Sequence, residues 1–246
     1  MKTEKKNFNF NQKITCSLHN FCLQLILDKT VGNDDVWAQY KDSADQFICN
    51  VIQKGSSNTK ISPGGALWFQ PWNNLQYTTA ASLLIAAHAD HLAAARASLQ
   101  CPGGVVLPND LINFVRQQVI NLLPYHLLYF NMVIRSAFNS RQADYILGAN
   151  PKKLSYLVGF GPNYPTQVHH RGASIPSIKN NPTPTDCNGG FKFMNANTPN
   201  PNVLHGAIVG GPDDNDGYTD SRSNFQQNEP ATINTAPFVG VLARLA

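Results

Sequence analysis

The sequence is short of charge and of the residue clusters that mark nucleic-acid-binding proteins. Only 14% of the 246 residues are Asp, Glu, Lys or Arg, and the formal net charge is +4. The basic residues are scattered and form no stripe with interleaved aromatics, so the sequence predicts no nucleic-acid partner. Asn, Gln, Ser and Thr are plentiful instead, which is typical of extracytoplasmic and carbohydrate-facing proteins. Hydrophobic residues make up 42%, enough for a folded core.

The cysteines indicate neither a metal site nor a disulfide framework. There are five of them, none in a Cys-x-x-Cys pair: Cys16, Cys22, Cys49, Cys101 and Cys187. An odd count in a chain of this length predicts at most one or two disulfides and at least one free thiol. His88 and His91 lie three residues apart on a predicted helix, but two ligands do not make a zinc site, so we expect a helix surface there. The sequence therefore predicts no metal and no cofactor.

Residues 1–33 have no assigned structure and no recognisable export signal. Their apolar patch, Phe21–Leu27, is short and is interrupted by Gln24. No small-residue cleavage site follows it, so the patch predicts no signal peptide. The sequence also contains no Asn-x-Ser/Thr glycosylation site.

One internal stretch, Val119–Phe138, is about as apolar as a membrane span. Its interior contains Pro124, His126, Asn131 and Arg135, which argue against a span. We therefore expect either a buried helix with a proline kink or an aberrant insertion. A membrane-associated protein is the weaker alternative.

Helical periodicity dominates the first half of the chain. Apolar residues recur at helical spacing over Asp34–Gln53 and Gln76–Leu99, and Leu107-Pro-Asn-Asp110 opens a further helix. Between residues 148 and 217 proline and glycine are frequent, and a last helix begins near Pro230. The pattern predicts helices followed by long loops, which in a compact domain are usually functional or disordered.

The stretch from Asp213 to Pro230 holds five of the fifteen carboxylates of the chain, with Tyr218 and Phe225 among them. A carboxyl group donates or accepts a proton and an aromatic face holds a sugar ring, so this composition suits a polar, ring-shaped substrate. A solvated acidic loop is the commoner explanation of such a cluster. An EF-hand calcium loop is excluded, because aligning Gly217 as its sixth residue places Pro212 first.

Two long motifs in the second half of the chain resemble the signatures of glycoside hydrolase family 9, the plant-type endo-β-1,4-glucanases or cellulases. The positions of the first signature are filled by Ser155, Val158, Gly161, Asn163, His169 and Arg171. The positions of the second are filled by Tyr218, Asp220, Phe225 and Glu229. The two motifs stand in the family's order, and the resemblance extends from about residue 35 to the C terminus.

The resemblance implies an all-α fold: an (α/α)6 barrel of twelve helices whose long loops form an open substrate cleft. The chain is similar to the C-terminal half of such an enzyme, so we expect an incomplete barrel over residues 34–246. The implied activity is hydrolysis of internal β-1,4-glucosidic bonds of cellulose-type glucans with inversion. A β-1,4-glucan is then the partner, and family members are usually secreted or wall-facing.

The second signature implies that Glu229 is the general acid, and partial burial would raise its pKa toward the working pH. Asp220 is the other active-site residue of that signature; it would orient substrate hydroxyls, pair with Arg222, or do both. From the first signature, His169 joins the catalytic set and Arg171 binds glucose hydroxyls. His170, between them, is expected to point elsewhere.

The aromatic contacts to the sugar are expected from Trp72 and Tyr218, with a core position as the alternative for Trp72. The remaining acidic residues of the 213–230 stretch, Asp213, Asp214 and Asp216, are expected to be solvated loop residues.

Three departures from the family pattern accompany the resemblance. The family runs Arg-Gln-Gln directly into Ala-Asp-Tyr-Ile-Leu-Gly, whereas 24 residues, Val119–Gln142, separate these sequences here. We interpret that segment as a retained intron or a gene-model error. Thr235 stands where the family usually has Asn, with Asn234 one place earlier. The family's Asp-Ala-Gly-Asp motif, which supplies the base, is absent, and Asp42-Ser-Ala-Asp45 is interpreted as a solvated helix face. An inactive fragment with at most residual β-glucan binding is therefore the alternative function.

Overall fold

The computed structural model describes residues 35–116 and 142–246, and helices connected by loops dominate both ranges. The helices, numbered α1 to α8, are Asp35–Val51, Leu75–Ala94, Pro108–Arg116, Gln142–Ile146, Arg171–Ser174, Phe191–Met194, Phe225–Asn228 and Thr232–Leu245. The strands, numbered β1 to β4, are Lys60–Ile61, Leu67–Trp68, Leu99–Cys101 and Gly104–Val106. They form two antiparallel pairs, β1–β2 and β3–β4, so the described ranges contain no closed sheet. The four longest helices lie where the periodicity predicts them, while the two strand pairs were not predicted.

The described residues divide into two compact units, the first containing residues 35–59 and Ala87–Leu111. Its buried apolar side chains from α1 and the β3–β4 pair are Ala44, Ile48, Val51, Leu99 and Val106. The spacing of the three α1 residues places them on one helix face, as the sequence predicts. A disulfide between Cys49 and Cys101 joins α1 to β3. The count of cysteines allowed one such bridge, and Cys187 is a free, exposed thiol as expected.

The side chains of His88 and Asp45 contradict the prediction of solvated helix faces in this unit. His88 is only 5% exposed, and its Nε2 lies 3.4 Å from Oδ1 of Asp45. Asp45 is half-buried and also accepts a hydrogen bond of 2.6 Å from Lys41. Burial lowers the pKa of His88 to about 4, with the positive charges of His91 and Lys41 acting in the same direction and Asp45 opposing them. Of the two aspartates in the 42–45 sequence, Asp42 alone is exposed as expected.

The second unit contains Lys60–Ala86 and the described part of residues 112–246. Its largest fully buried apolar side chains include Leu67, Leu75, Ile85, Ile146 and Ile208, together with the aromatic rings of Tyr145 and Tyr156. These two rings stack with their centroids 6.0 Å apart. A turn joins β1 to β2, in which Gly65 N donates to Ser62 O at 2.9 Å and Ser62 N donates to Ala66 O at 2.8 Å.

Asp216 is buried, which corrects the prediction of a solvated loop residue. Its side chain is 4% exposed, and Oδ1 accepts hydrogen bonds from Ser62 Oγ at 2.5 Å and Tyr145 Oη at 2.6 Å. Oδ2 accepts a third hydrogen bond from Gly64 N at 2.5 Å. A buried carboxylate requires such donors, and they come from segments far away in sequence. Asp214 follows the prediction better, since it forms a surface ion pair with Lys60.

Residues 119–141 of the segment interpreted as an insertion lie outside the described residues. The last residue of that segment, Gln142, begins α4 and is 1% exposed. Its side chain accepts a hydrogen bond from Leu67 N at 2.9 Å and donates one to Gly65 O at 2.8 Å. Gln142 is therefore part of the packed core of the second unit. Within the described ranges, no helix has the length and apolar character that a membrane crossing requires.

Candidate active site

Trp72 and Glu229 lie on two segments that backbone hydrogen bonds hold together. Asn73 N donates to Gln226 O at 2.8 Å, and Gly211 N donates to Gln227 O at 3.0 Å. These bonds connect the segment before α2, the residues around Gly211 and the short helix α7. The backbones on both sides of the site are consequently fixed before any side chain is considered.

A buried asparagine cluster strengthens this connection at the point where the sequence departs from the family. Asn234, which is 0% exposed, donates from Nδ2 to Asn73 Oδ1 at 2.7 Å and to Ile208 O at 3.0 Å. Thr235 accepts a hydrogen bond from Ile208 N at 3.3 Å. The family usually has an asparagine where Thr235 stands. In this chain the buried amide comes from Asn234, one position earlier.

Glu229 follows α7 directly, and its carboxyl group meets the indole of Trp72. Glu229 N donates to Phe225 O at 3.0 Å, which fixes the backbone at the end of the helix. Nε1 of Trp72 donates a hydrogen bond of 3.2 Å to Oε2 of Glu229. The rings of Trp72 and Phe225 meet in a T-shaped arrangement with centroids 6.4 Å apart, and Trp72 is 52% exposed. The core alternative for Trp72 is therefore wrong, and its ring lies open beside the carboxyl group.

Tyr218 is connected to the residue that precedes Glu229. Its hydroxyl donates a hydrogen bond to Oδ1 of Asn228, which is 0% exposed. Burial raises the pKa of Tyr218 well above its usual value, with the charge of Asp220 acting in the same direction, so the hydroxyl keeps its proton and remains a donor. The ring meets Tyr156 edge to face at 5.1 Å. Tyr218 is therefore hydrogen-bonded to the residue before Glu229. Its contact with a sugar stays a prediction.

The carboxylate of Asp220 accepts hydrogen bonds from the loop that leads to His169. Oδ2 accepts from Thr166 N at 2.8 Å and from Thr166 Oγ1 at 2.9 Å, and Oδ1 accepts from Gln167 N at 2.9 Å. These three bonds fix the backbone two residues before His169. Asp220 therefore positions one part of the site in this structure, and its contact with substrate hydroxyls stays a prediction.

Arg222 is buried and binds a different loop from the one that Asp220 holds. Its guanidinium donates from Nε to Asn200 Oδ1 at 2.5 Å and from its terminal nitrogens to the carbonyls of Ala196 and Thr198. These hydrogen bonds use the planar fork of arginine to hold three residues of one loop. Among the described residues, no hydrogen bond joins Asp220 to Arg222, so the predicted pairing of these two side chains is not observed.

The ring of His169 forms a hydrogen bond through Nδ1, and its other nitrogen, Nε2, has no hydrogen bond to the described residues. Nδ1 lies 2.6 Å from the carbonyl oxygen of Arg222, and a carbonyl only accepts, so Nδ1 carries the proton. In the neutral tautomer that carries its proton on Nδ1, Nε2 is an acceptor. The backbone is held as well, because His169 N donates to Asn228 O at 2.9 Å. The imidazole lies 6.0 Å from the ring of Phe225, which also contacts the indole of Trp72.

Arg171 is the first residue of α5 and is exposed. Its Nη2 donates to Asp186 O at 3.0 Å, which leaves other donors of the guanidinium open. A cavity of about 260 Å³ lies beside it, with His169 and Arg222 in its lining. His170 caps α5 by accepting from Ala173 N at 3.1 Å, but it lines the same cavity as His169 and Arg171, so the prediction that it points elsewhere is not confirmed.

Three buried asparagines connect the site: Asn73, Asn228 and Asn234. Of these, only Asn234 was noted in the sequence, as the residue one place before the family's asparagine, and none of the three was predicted to connect the site. Their signal in the sequence is weak, because an asparagine in a loop usually indicates a turn and not a buried hydrogen-bonding group.

An exposed aromatic ring beside a carboxyl group suits a glycoside hydrolase, in which a carboxyl group donates the proton and an aromatic face contacts the sugar. The sequence model described as Glycosyl hydrolase family 9 matches residues 2–242. The chain belongs to glycosyl hydrolase family 9.

Plant endoglucanases are among the relatives of this chain. The chain is 51% identical to Endoglucanase 15 of Arabidopsis thaliana over 225 residues, which is 91% of this chain and 41% of that protein. It is 48% identical to Endoglucanase 14 of Oryza sativa subsp. japonica over 229 residues, covering 90% of this chain and 40% of that protein. The chain thus spans about two fifths of the length of these relatives.

Solved structures give the same family. An endoglucanase from the termite Nasutitermes takasagoensis matches 93% of this chain and 40% of its own length, with a TM-score of 0.60 and 28% identity. The cellulase Cel9M of C. cellulolyticum, solved in complex with cellobiose, matches 93% of this chain and 38% of its own length, with a TM-score of 0.58 and 25% identity.

Proposed function

We propose that this chain carries the acid half of an endo-β-1,4-glucanase site, in which Glu229 is the general acid for inverting hydrolysis of internal bonds in cellulose-type glucans. The observation that carries the proposal is the half-buried Glu229 carboxyl, hydrogen-bonded to the 52% exposed indole of Trp72. The plant endoglucanases that share about half of its residues over nine tenths of the chain support the same activity.

The chemistry assigned to the residues follows from their positions. Glu229 protonates the leaving glycosidic oxygen, and Trp72 offers an aromatic face to an adjoining sugar ring. Nε2 of His169 accepts a hydrogen bond from a glucose hydroxyl, since Nδ1 is committed to Arg222 O. Arg171 donates to a second hydroxyl from the side of the 260 Å³ cavity. No step calls for a cofactor.

Glycoside hydrolysis also needs a second carboxyl group as base. No Asp-Ala-Gly-Asp sequence occurs in the 246 residues. Asp45 is held by Lys41 and adjoins His88. The oxygens of Asp220 accept three hydrogen bonds from Thr166 and Gln167. These observations favour a second candidate function, β-1,4-glucan binding without turnover.

The setting of the site is inferred from the family. The described helices contribute to an (α/α)6 barrel, and the loops that carry Trp72, His169 and Glu229 line its open cleft. A β-1,4-glucan is the partner, and neither nucleic acid nor membrane takes part. The family's secreted or wall-facing location is inferred for this protein as well.

The experiment measures hydrolysis and binding on the same purified 246-residue chain. Release of reducing ends from carboxymethyl-cellulose reports hydrolysis, and calorimetric titration with cellotetraose reports binding. Glu229→Gln removes the acid while keeping its shape, and Asp42→Asn changes an exposed carboxyl group on α1 as the control.

The two candidate functions give different results. Hydrolysis that is lost in Glu229→Gln and kept in Asp42→Asn supports the glucanase, with cellotetraose affinity nearly unchanged. Binding without hydrolysis in all three proteins supports the second candidate. Hydrolysis that survives in Glu229→Gln removes Glu229 from the acid role, and a chain that neither binds nor hydrolyses contradicts both candidates.

A further inference from the structure

Trp72 presents an indole N–H and an aromatic ring to the site, and the Glu229 carboxyl accepts a hydrogen bond from the N–H. The indole N–H donates to Glu229 Oε2 at 3.2 Å, while about half of the side-chain surface remains exposed. We propose that Trp72 positions the Glu229 carboxyl through this hydrogen bond, and that a sugar ring binding on Trp72 weakens it. The inference rests on the proposed acid role of Glu229 and adds a link between substrate binding and the state of the acid.

Both partners of this hydrogen bond stand on anchored backbone. Asn73, next to Trp72, adopts a left-handed conformation with φ of 53°, and its N–H donates to Gln226 O at 2.8 Å. Glu229 N donates to Phe225 O at 3.0 Å. A surface pair between two free side chains contributes little because each must be ordered first. Here the backbones at Asn73 and Glu229 are held in place, so the indole and the carboxyl group start from fixed backbone positions.

The hydrogen bond between Trp72 and Glu229 is long, so a small movement of either group can weaken it. At 3.2 Å it lies at the long end of the range for N–H donors, whose usual separation is about 2.9 to 3.0 Å. The indole meets Phe225 through an edge contact with an interplanar angle of 90°. A sugar that stacks on the exposed indole adds a further contact to its ring, and a small rotation of the ring plane moves Nε1 relative to Oε2.

The chemistry gives this link a direction. A general acid must turn toward the leaving glycosidic oxygen, whereas the indole N–H holds Oε2 of Glu229 at Trp72. Weakening of the bond by a stacked sugar therefore frees Oε2 to turn toward the glycosidic oxygen. In the empty site, the same bond keeps the carboxyl group oriented toward the exposed indole.

The chain is well suited to a direct test, because Glu4 and Glu229 are its only glutamates. Labelling glutamate with carbon-13 at the side-chain carboxyl gives two signals, and Glu229→Gln identifies which one belongs to Glu229. Trp72→Phe keeps an aromatic ring and removes the N–H donor. Trp68→Phe makes the same substitution in β2 as the control.

We expect Trp72→Phe to displace the Glu229 signal of the free protein, and Trp68→Phe to leave it in place. Cellotetraose should move the Glu229 signal in the wild type, and Trp72→Phe should lose most of that movement while still binding the sugar. A Glu229 signal that is the same in the wild type and in Trp72→Phe overturns the inference, whether or not cellotetraose binds. Failure of the wild type to bind cellotetraose counts against the glucan site instead, and the comparison of free proteins still decides the hydrogen bond.

A second measurement needs no change at Trp72. The chain has three tryptophans, so nitrogen-15 labelling gives few indole N–H signals to assign. Glu229→Gln replaces a charged acceptor by a neutral one and should move the Trp72 indole signal alone. An unmoved Trp72 signal would contradict the hydrogen bond even if Trp72→Phe failed to fold.

Discussion

The hydroxyl of Tyr218 donates a hydrogen bond to Oδ1 of Asn228, the residue immediately before Glu229. Asn228 also donates from Nδ2 to Thr219 O at 2.6 Å, and its carbonyl accepts from His169 N at 2.9 Å. A single buried asparagine thus connects the two signature segments of the site. The position of the acid relative to His169 depends on this residue and not on a contact between the two side chains.

Tyr218→Phe tests how much this connection stabilises the protein. The substitution keeps the ring against Tyr156 and leaves Asn228 Oδ1 without its tyrosine donor. A buried acceptor left unsatisfied costs about 1 to 3 kcal/mol, so we expect the free energy of unfolding to fall by that amount in urea titrations. Tyr164→Phe, at a half-buried loop position, is the control and should change it by less than about 0.5 kcal/mol. Equal effects of the two substitutions would show that the Asn228 bond contributes nothing particular.

Asp216→Asn tests the buried carboxylate that the sequence did not reveal. Its two oxygens accept from Ser62 Oγ, Tyr145 Oη and Gly64 N. An amide places an NH₂ donor against at least one of these donors. Hydrogen bonds to charged groups contribute about 1.5 to 3 kcal/mol each, so we expect a loss of about 2 to 3 kcal/mol in the free energy of unfolding.

The control for Asp216→Asn is Asp214→Asn, which makes the same chemical change two residues away. Asp214 forms its ion pair with Lys60 at the surface, where such pairs add little stability. The urea midpoint of Asp214→Asn should stay close to that of the wild type. A midpoint for Asp216→Asn that is equally unchanged would mean that the carboxylate is replaceable by an amide.

The contrast between Asp216 and the signature residues shows what the sequence can and cannot predict. The helices α1 and α2 were predictable because periodicity is a local property, and the site segments were predictable because the signatures have fixed spacing. The donors to Asp216 lie 154 and 71 residues away in sequence, at Ser62 and Tyr145. Nothing local distinguishes a carboxylate that meets such donors from its solvated neighbours.

The same reasoning applies to Asn228 and to the carboxylate of Asp220. The resemblance selected Asp220 as an active-site residue, but not the bonds by which it holds Thr166 and Gln167. Asn228 is not among the residues that fill the second signature, so the resemblance does not select it. The partners of a loop side chain are set by how the loops pack, which is a tertiary property.

Removal of the disulfide between Cys49 and Cys101 should destabilise the first unit. The bridge joins residues 52 positions apart, and cross-linking a loop of that length lowers the entropy of the unfolded chain. The chain-entropy relation gives about 4 kcal/mol for such a loop, within a usual range of about 2 to 5 kcal/mol. We expect the double variant Cys49→Ala and Cys101→Ala to lose stability on this scale in thermal and urea unfolding.

Cys187→Ala is the matched control for the disulfide, since Cys187 is exposed and free. It should unfold at the wild-type midpoint, and a reducing agent should lower that midpoint to the value of the double variant. A double variant as stable as Cys187→Ala would mean that the bridge does not constrain the unfolded chain.

His88 should make the stability of the protein depend on pH in a defined window. Burial lowers the pKa of His88 to about 4 in the folded protein, whereas an unfolded histidine titrates near about 6.5. As the pH falls through 6.5 the unfolded chain binds a proton first, so the free energy of unfolding decreases down to about pH 4. Above pH 6.5 both states are neutral and this contribution is fully present.

The groups that face His88 set the size of the effect. Burial is the largest influence; His91 and Lys41 oppose protonation as well, while Asp45, 3.4 Å away, favours it. The pKa of His88 is about 4 in the folded protein and about 6.5 in the unfolded chain. This difference lowers the free energy of unfolding by about 3 kcal/mol at most as the pH falls from 6.5 to 4. His88→Asn, which does not titrate, should therefore lack this part of the pH dependence.

The check is urea unfolding of the wild type, His88→Asn and His205→Asn at several pH values between 4 and 7.5. His205 is exposed, so His205→Asn should reproduce the wild-type pH profile. The stability difference between the wild type and His88→Asn should be constant above pH 6.5 and should shrink steadily as the pH falls toward 4. A constant difference over the whole range would show that the folded and unfolded states protonate His88 alike, which is incompatible with its burial beside His91 and Lys41.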